Sequence, residues 1–373
     1  MRKIKVMLLF GTRPEAIKMA PLVIALKKDP RFQTIVTLTA QHREMLDQVL
    51  ELFSITADYD LNLMQPGQTL SYLTASILNA LKPILTAESP DMILVHGDTT
   101  TAFSAALSAF YEQIPIDHVE AGLRTKNKYS PYPEEMNRTL IGQLGDLHFS
   151  PTLGNRDNLI REDIPKSRIV ITGNTVIDAL LMTVTDDYLF ENPILNTIDF
   201  ISKRVMLLTC HRRENIGKPM EHIFFAMREL VLANPDIEVI FPMHPNPQIA
   251  EIAIPLLFDL DRVHILAPLD YGEMSNLIGR AYLVLTDSGG LQEEAPALGK
   301  PVVVLRQETE RPEAVDAGTV VMGGVDSDNI INITQQLLDD TKAYQAMAHA
   351  INPYGDGQAS ARICAAIADY FKP

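Results

Sequence analysis

Carboxylates recur in this sequence where apolar runs stop. Asp98, in His96-Gly97-Asp98-Thr99-Thr100-Thr101, follows the run DMILV, and Glu120, in His118-Val119-Glu120-Ala121-Gly122-Leu123-Arg124-Thr125, follows IDHV. A carboxylate at the end of a buried strand is costly unless it is paired or working, so both are candidate acid–base groups. Each has a plainer explanation too: Asp98 suits a helix N-cap, and Glu120 could pair with Arg124. Glu134 lies in Tyr132-Pro133-Glu134-Glu135-Met136-Asn137-Arg138, where proline and two glutamates read as a first helical turn. Glu134 and Arg138 share a helix face, as surface decoration or as one site.

Three further clusters suit an anion. Gly11-Thr12-Arg13-Pro14-Glu15-Ala16-Ile17-Lys18 leads from a strand into a helix, where free backbone N–H groups with Arg13 and Lys18 could meet phosphate. An ordinary strand-to-helix turn explains it as well. Thr209-Cys210-His211-Arg212-Arg213-Glu214-Asn215 puts one histidine and two arginines at a strand end. Thr286-Asp287-Ser288-Gly289-Gly290-Leu291-Gln292-Glu293-Glu294 sets small residues before a helix, a good phosphate cradle, with Glu294 one turn in, where it could accept ribose hydroxyls. No cofactor is expected, because two of the three glycines of the dinucleotide fingerprint are missing after the first strand. No metal is expected either: His244 in PMHPNP lacks a second ligand at metal spacing, and Asp326-Ser327-Asp328 reads as a helix cap.

These clusters need a frame that brings strand ends together. KIKVMLLF, TIVTLTA, DMILVHG and IDHVE read as strands separated by helical patterns, and RVMLLT, IEVIFPM, RVHIL, YLVLTD and VVVL form a second such series. Strands apolar on both faces, alternating with helices, imply parallel sheets covered on both sides. The expectation is an α/β protein of two doubly wound, Rossmann-like domains facing a cleft, with ligands at the carboxyl ends of the strands. Residues 1–185 form the first domain, 186–203 a linker region, 204–356 the second domain, and 357–373 a C-terminal helix that can pack back on the first. A length of 373 residues suits two such cores.

The net charge of −15 argues against a nucleic-acid partner. The apolar run Val6–Phe10 is too short for a signal peptide, and no stretch is long enough to span a bilayer, so no membrane partner is expected. Two distant cysteines, Cys210 and Cys364, read as free thiols in a reducing cytosol.

Taken in order, GTRPEAIKMAPL, HGDTTT, HVEAGLRT, PYPEEMNR, HRREN, DSGGLQEEAPALGKP and ERPEA resemble the non-hydrolysing UDP-N-acetylglucosamine 2-epimerases over nearly the whole chain. The resemblance implies a glycosyltransferase-B fold and a cytoplasmic homodimer. Its product, UDP-N-acetylmannosamine, would feed cell-surface polysaccharide synthesis. It implies acid–base and charge-stabilising roles for Asp98, Glu120, Glu134 and His211. Arg13 and Lys18 would serve the diphosphate and sugar, and Arg138 the reacting ring. Ser288, Gly289 and Gly290 would hold phosphate, Glu294 the ribose, and Tyr271 would lie near the uracil, with Arg311 and His244 as further substrate contacts. Gln41 and His42 resemble part of the family's regulatory site. There Glu44 replaces an expected glutamine and Gly67 an expected arginine, which removes a cation and adds an anion near a diphosphate ligand.

The hydrogen at carbon 2 of this sugar is not next to a carbonyl, so simple base catalysis is inadequate. Elimination of UDP through an oxocarbenium-like state makes it acidic, and re-addition follows protonation on the opposite face. A glycosyltransferase of the same fold, a hydrolysing epimerase and a non-catalytic nucleotide-sugar sensor are the rival expectations.

Overall fold

The structure is a computed structural model that describes residues 2–39, 43–63, 65 and 67–372. The chain forms two compact units: Met1–Met182 with Tyr354–Pro373, and Thr183–Pro353.

The first unit holds a seven-stranded sheet: β1 (Ile4–Phe10), β2 (Phe32–Leu38), β3 (Tyr59–Asp60), β4 (Met92–His96), β5 (Ile116–Val119), β6 (Leu147–Ser150) and β7 (Ile169–Ile171). The order is β3-β2-β1-β4-β5-β6-β7 and every pairing is parallel. Residues Val6–Phe10 of β1 and all of β4 are buried, as strands covered on both faces must be. The order reverses between β1 and β4, and the loops after both strands, together with the loop after β5, carry the carboxylate and cation motifs.

Helix starts are fixed by short polar side chains. Thr12 caps the helix Arg13–Lys28 in a capping box with Glu15, Thr99 caps Thr100–Tyr111, and Thr152 caps Leu153–Arg161 with Asn155. The last helix, Ala359–Tyr370, packs on Arg13–Lys28, and its first N–H groups are held by Asp178.

The second unit repeats the plan with β8 (Arg204–Thr209), β9 (Ile237–Pro242), β10 (Val263–Leu266), β11 (Leu283–Thr286), β12 (Val302–Val304) and β13 (Val320–Met322). Its order is β10-β9-β8-β11-β12-β13, again all parallel, with the reversal between β8 and β11. Met206, Leu208, Phe224, Phe241 and Leu285 belong to its core.

The stretch 186–203, expected as a linker region, is docked on this unit. Phe190 and Leu195 are buried, the Arg280 guanidinium lies 4.9 Å from the Phe190 ring centroid, and Arg280 Nη2 donates to the Tyr188 carbonyl at 2.6 Å. The chain passes between units at Met182–Thr183 and returns at Pro353–Tyr354.

Candidate active site

In the first unit, three strand ends and the helix Arg13–Lys28 converge on one carboxylate. Glu120 follows β5 with φ 62, a left-handed conformation that is uncommon outside glycine. Its side chain is 8% exposed. Oε1 forms an ion pair with Lys18 Nζ and accepts Asn174 Nδ2 at 2.8 Å, while Oε2 lies 3.4 Å from His96 Nε2. A Cβ built on Gly97 (φ +65) would stand 3.5 Å from Oε2, so the β4 turn passes close to this carboxylate. Burial pushes His96 down to about 4, so it faces Glu120 as a neutral ring. Arg124 makes a bidentate pair with Glu162, both contacts at 2.7 Å, and does not neutralise Glu120 as the plainer explanation had it.

Asp98 lies one turn away, after β4. Its neighbour Thr99 takes the N-cap, accepting Ala102 N–H at 3.0 Å, which leaves the Asp98 carboxylate to Arg138 Nη2 at 2.7 Å. Arg138 is buried and also reaches Glu135 at 3.6 Å, so it pairs with Asp98 and Glu135 rather than with Glu134. Burial raises the Asp98 pKa, Arg138 opposes that, and the charges of Glu120 and Glu134 push it up again. Asn137 Nδ2 donates to the Asp98 carbonyl at 2.9 Å. The helix Glu134–Leu144 thus reaches the β4 turn with Asn137 and Arg138 and places Glu134 within electrostatic range of Asp98.

The turn after β1 differs from a free phosphate cradle. Glu15 Oε2 accepts the N–H groups of Gly11 at 3.0 Å and Thr12 at 2.8 Å, and Thr99 Oγ1 donates to Oε1 at 2.5 Å. The donors expected to meet an anion there are already satisfied. Lys18 is engaged with Glu120, and Arg13 is half-buried without an ion pair among the described residues.

In the second unit the ends of β8 and β11 are tied together. Asp287, fully buried, accepts the His211 and Arg212 N–H groups at 2.8 Å each. His211 lies beside His244, ring centroids 5.8 Å apart and planes 14° from parallel. Burial lowers the His211 pKa, the Asp287 charge raises it, and Arg212 and His244 lower it. Ser288 N–H is taken by Thr286 Oγ1 at 2.9 Å, and the helix Leu291–Ala297 begins at Gly290 without a side-chain cap. A Cβ on Gly289 would lie 3.7 Å from guanidinium nitrogens of both Arg212 and Arg311, so two cations flank this glycine. Arg311 is anchored by an ion pair with buried Glu293. Glu294 Oε1 would stand 3.1 Å from a Cβ on Gly290, and its charge acts on the buried Tyr271 hydroxyl, whose pKa burial pushes well up. His244 and the chain after β10 line a cavity of about 340 Å³.

The structure therefore gathers Asp98, Glu120, Lys18 and Arg138, with Glu134 in electrostatic range. Within the second unit it gathers His211 with His244, Gly289 with Arg311, and Gly290 with Glu294 and Tyr271. Gln41 and His42 lie outside the described residues. His96, Asn174 and Asp287 are the site residues that the sequence-based expectations left without roles. Asn174 closes RIVITGN, one more polar residue after a strand, the signal that singled out Asp98 and Glu120.

A family model for UDP-N-acetylglucosamine 2-epimerase matches residues 24–368. The chain belongs to this family. Among curated relatives, the UDP-N-acetylglucosamine 2-epimerase of Salmonella typhimurium is 54% identical over 98% of this chain and 99% of its own. That of Bacillus subtilis is 53% identical over 97% of this chain and 94% of its own. The crystal structure of the Neisseria meningitidis UDP-GlcNAc 2-epimerase bound to UDP-GlcNAc matches with a TM-score of 0.85 at 47% identity, covering 98% of this chain and 100% of that one. Among the described residues of this epimerase, no helix is long and apolar enough to cross a membrane.

Proposed function

We propose that this epimerase interconverts UDP-N-acetylglucosamine and UDP-N-acetylmannosamine by elimination and re-addition of UDP. The observation that carries this mechanism is the pair Asp98 and Glu120. They end adjacent strands, and each is held by a different cation, Arg138 and Lys18, so both stay available at a charged sugar.

In the forward direction the bond from carbon 1 to the diphosphate oxygen breaks and its electron pair leaves with UDP. A carboxylate takes the proton from carbon 2, and the double bond of 2-acetamidoglucal forms. In the return step a protonated carboxyl delivers a proton to the opposite face of carbon 2, and the diphosphate oxygen re-forms the bond to carbon 1. Asp98, Glu120 and Glu134 share the proton transfers and the stabilisation of the cationic sugar. Burial raises the pKa of Asp98 above the usual carboxylate value, the direction that favours a group able to carry a proton.

Cations stabilise the departing charge: Arg13, His211 and the flanked Ser288–Gly290 loop. Lys18 and Arg138 hold the carboxylates in place. Glu294 takes the ribose hydroxyls, Tyr271 lies by the uracil, and Arg311 and His244 complete the nucleotide contacts. The setting is a cytoplasmic homodimer supplying precursors of cell-surface polysaccharide. The two free, buried cysteines support the compartment, and light scattering tests the dimer.

The test is incubation with UDP-N-acetylglucosamine in deuterium oxide, followed by proton NMR. UDP-N-acetylmannosamine carrying deuterium at carbon 2 is the expected product. Free N-acetylmannosamine with UDP would make the chain a hydrolysing enzyme, and no turnover would leave a transferase or a sensor.

A further inference from the structure

His211 is held from two sides. The His244 ring lies parallel to its face, and the buried Asp287 carboxylate meets its edge, with Oδ1 3.4 Å from Nδ1. The other oxygen, Oδ2, accepts His211 N–H and Arg212 N–H at 2.8 Å and Asn215 Nδ2 at 3.1 Å. Burial, and then the charge of this carboxylate, raise the pKa of the neighbouring Cys210 thiol well above its usual value. One side chain thus holds the backbone that carries His211 and places a carboxylate oxygen beside Nδ1 of its ring. A carboxylate accepts hydrogen bonds only, so the ring nitrogen that faces it is favoured with its proton on.

We infer that Asp287 is a positioning residue of the reaction. It keeps the proton of His211 on Nδ1, so that Nε2 is the ring nitrogen that gives a proton to the departing diphosphate and takes it back on re-addition. The inference rests on the assignment of His211 to the leaving group made above. When the carbon 1–oxygen bond breaks, the imidazolium passes its Nε2 proton to the diphosphate oxygen that received the electron pair. Neutral imidazole remains, protonated at Nδ1. Re-addition runs the same transfer backwards. The charged or titratable groups that act on the ring are Asp287, Arg212 and His244.

Asp287→Asn separates this role from a purely structural one. The amide oxygen can replace Oδ2 toward the two N–H groups, while the amide nitrogen turns toward His211. It then donates to Nδ1 and forces the neutral ring into the Nε2–H tautomer. The readouts are 15N NMR of histidine-labelled enzyme above the His211 pKa, the signal being assigned by its loss in His211→Gln, and steady-state kinetics across pH. Wild type is expected as the Nδ1–H tautomer and the variant as Nε2–H. The variant's kcat falls on the order of 10²-fold or more, UDP affinity changes by less than about tenfold, and the His211 limb of the pH profile moves down. A wild-type ring protonated at Nε2 overturns the inference even if the variant does not fold. A variant with unchanged tautomer, or with kcat within about twofold of wild type, overturns it as well. His211→Gln run in parallel tells the two failures apart. If it retains turnover, the assignment of His211 itself is wrong; if it is inactive while Asp287→Asn works normally, only the role of Asp287 falls.

Discussion

Asp98 and Glu120 stand at the ends of neighbouring strands, and each is paired with its own cation. Arg138 holds one at 2.7 Å and Lys18 pairs with the other. Glu120 is also held in left-handed backbone at φ 62, a conformation that costs on the order of 1–3 kcal/mol and persists where the surroundings over-determine it. Lys18, Asn174 and His96 are those surroundings. On the proposed mechanism, charge at these positions, more than shape, is what the chemistry would use. Asp98→Asn, Glu120→Gln and Glu134→Gln are therefore each expected to lower kcat by about 10²–10⁴-fold while UDP titrates with near-normal affinity. Near-normal turnover in any one of them removes that residue from the chemical role. The plainer explanations of these residues were legible as alternatives, and tertiary partners decide between them: Thr99, not Asp98, caps its helix, and Arg124 goes to Glu162. By contrast, Asp326 does cap the helix Ser327–Asp339, accepting Asn329 N–H at 3.1 Å, as its D-x-D spelling before a helical pattern implied.

At the scale of elements, β5 combines a buried charge with a tight turn. Asp117 is fully buried, and neither of its oxygens has a hydrogen bond among the described residues. Burial, helped by the Asp146 charge, raises its pKa well above the usual range. In the unfolded chain this carboxyl ionises near 3.8, so above that pH the unfolded state has fewer protons bound and folding is penalised. The penalty grows by about 1.4 kcal/mol per pH unit until the folded pKa is reached. Asp117→Asn should therefore be increasingly favoured over wild type as pH rises above about 4, across the range up to neutrality that calorimetry can cover. Calorimetric Tm differences that stay flat across that range would mean Asp117 is ionised in the fold. Just after β5, Gly122 has φ +97, and a Cβ there would come within 2.2 Å of the Asn155 carbonyl. Gly122→Ala should cost about 1–3 kcal/mol or more. Gly67→Ala, at φ +70 with nothing within 4 Å, should cost less. Comparing their melting temperatures tests whether close approach or backbone angle dominates. Long apolar runs made β1, β2, β4, β8 and β9 legible in the sequence. β6 was not, because its four residues include His148 and Ser150, and β13 was too short for a period to show. The T-x-x-E of Thr12 and Glu15 spells a capping box in the sequence itself, but the nearby Arg13 and Lys18 drew it toward phosphate.

On the scale of the whole molecule, the first unit is closed by residues from both ends of the chain. The final helix lays Ile363 and Ile367, both fully buried, against this unit. Asp178 holds its start, accepting Ser360 N–H at 2.8 Å and Ala359 N–H at 3.1 Å. Its amphipathic pattern and its possible return to the first domain were legible in the sequence, but the contact that anchors it was not, because Asp178 and Ser360 are far apart along the chain. The contacts of the stretch 186–203 were hidden for a related reason. Its buried Phe190 and Leu195 follow no period, so nothing local announces that Arg280 lies over the Phe190 ring. The second unit, Thr183–Pro353, is one continuous segment with its own sheet and core, and it carries the loop assigned to UDP. A cavity cut under the last helix should therefore act on the first unit alone. Ile367→Ala is expected to cost about 2–5 kcal/mol of stability in calorimetry. UDP affinity, measured by titration below the melting range, should remain that of wild type. A loss of UDP affinity matching the loss of stability would mean that the nucleotide contacts depend on the fold of the first unit beyond Arg13.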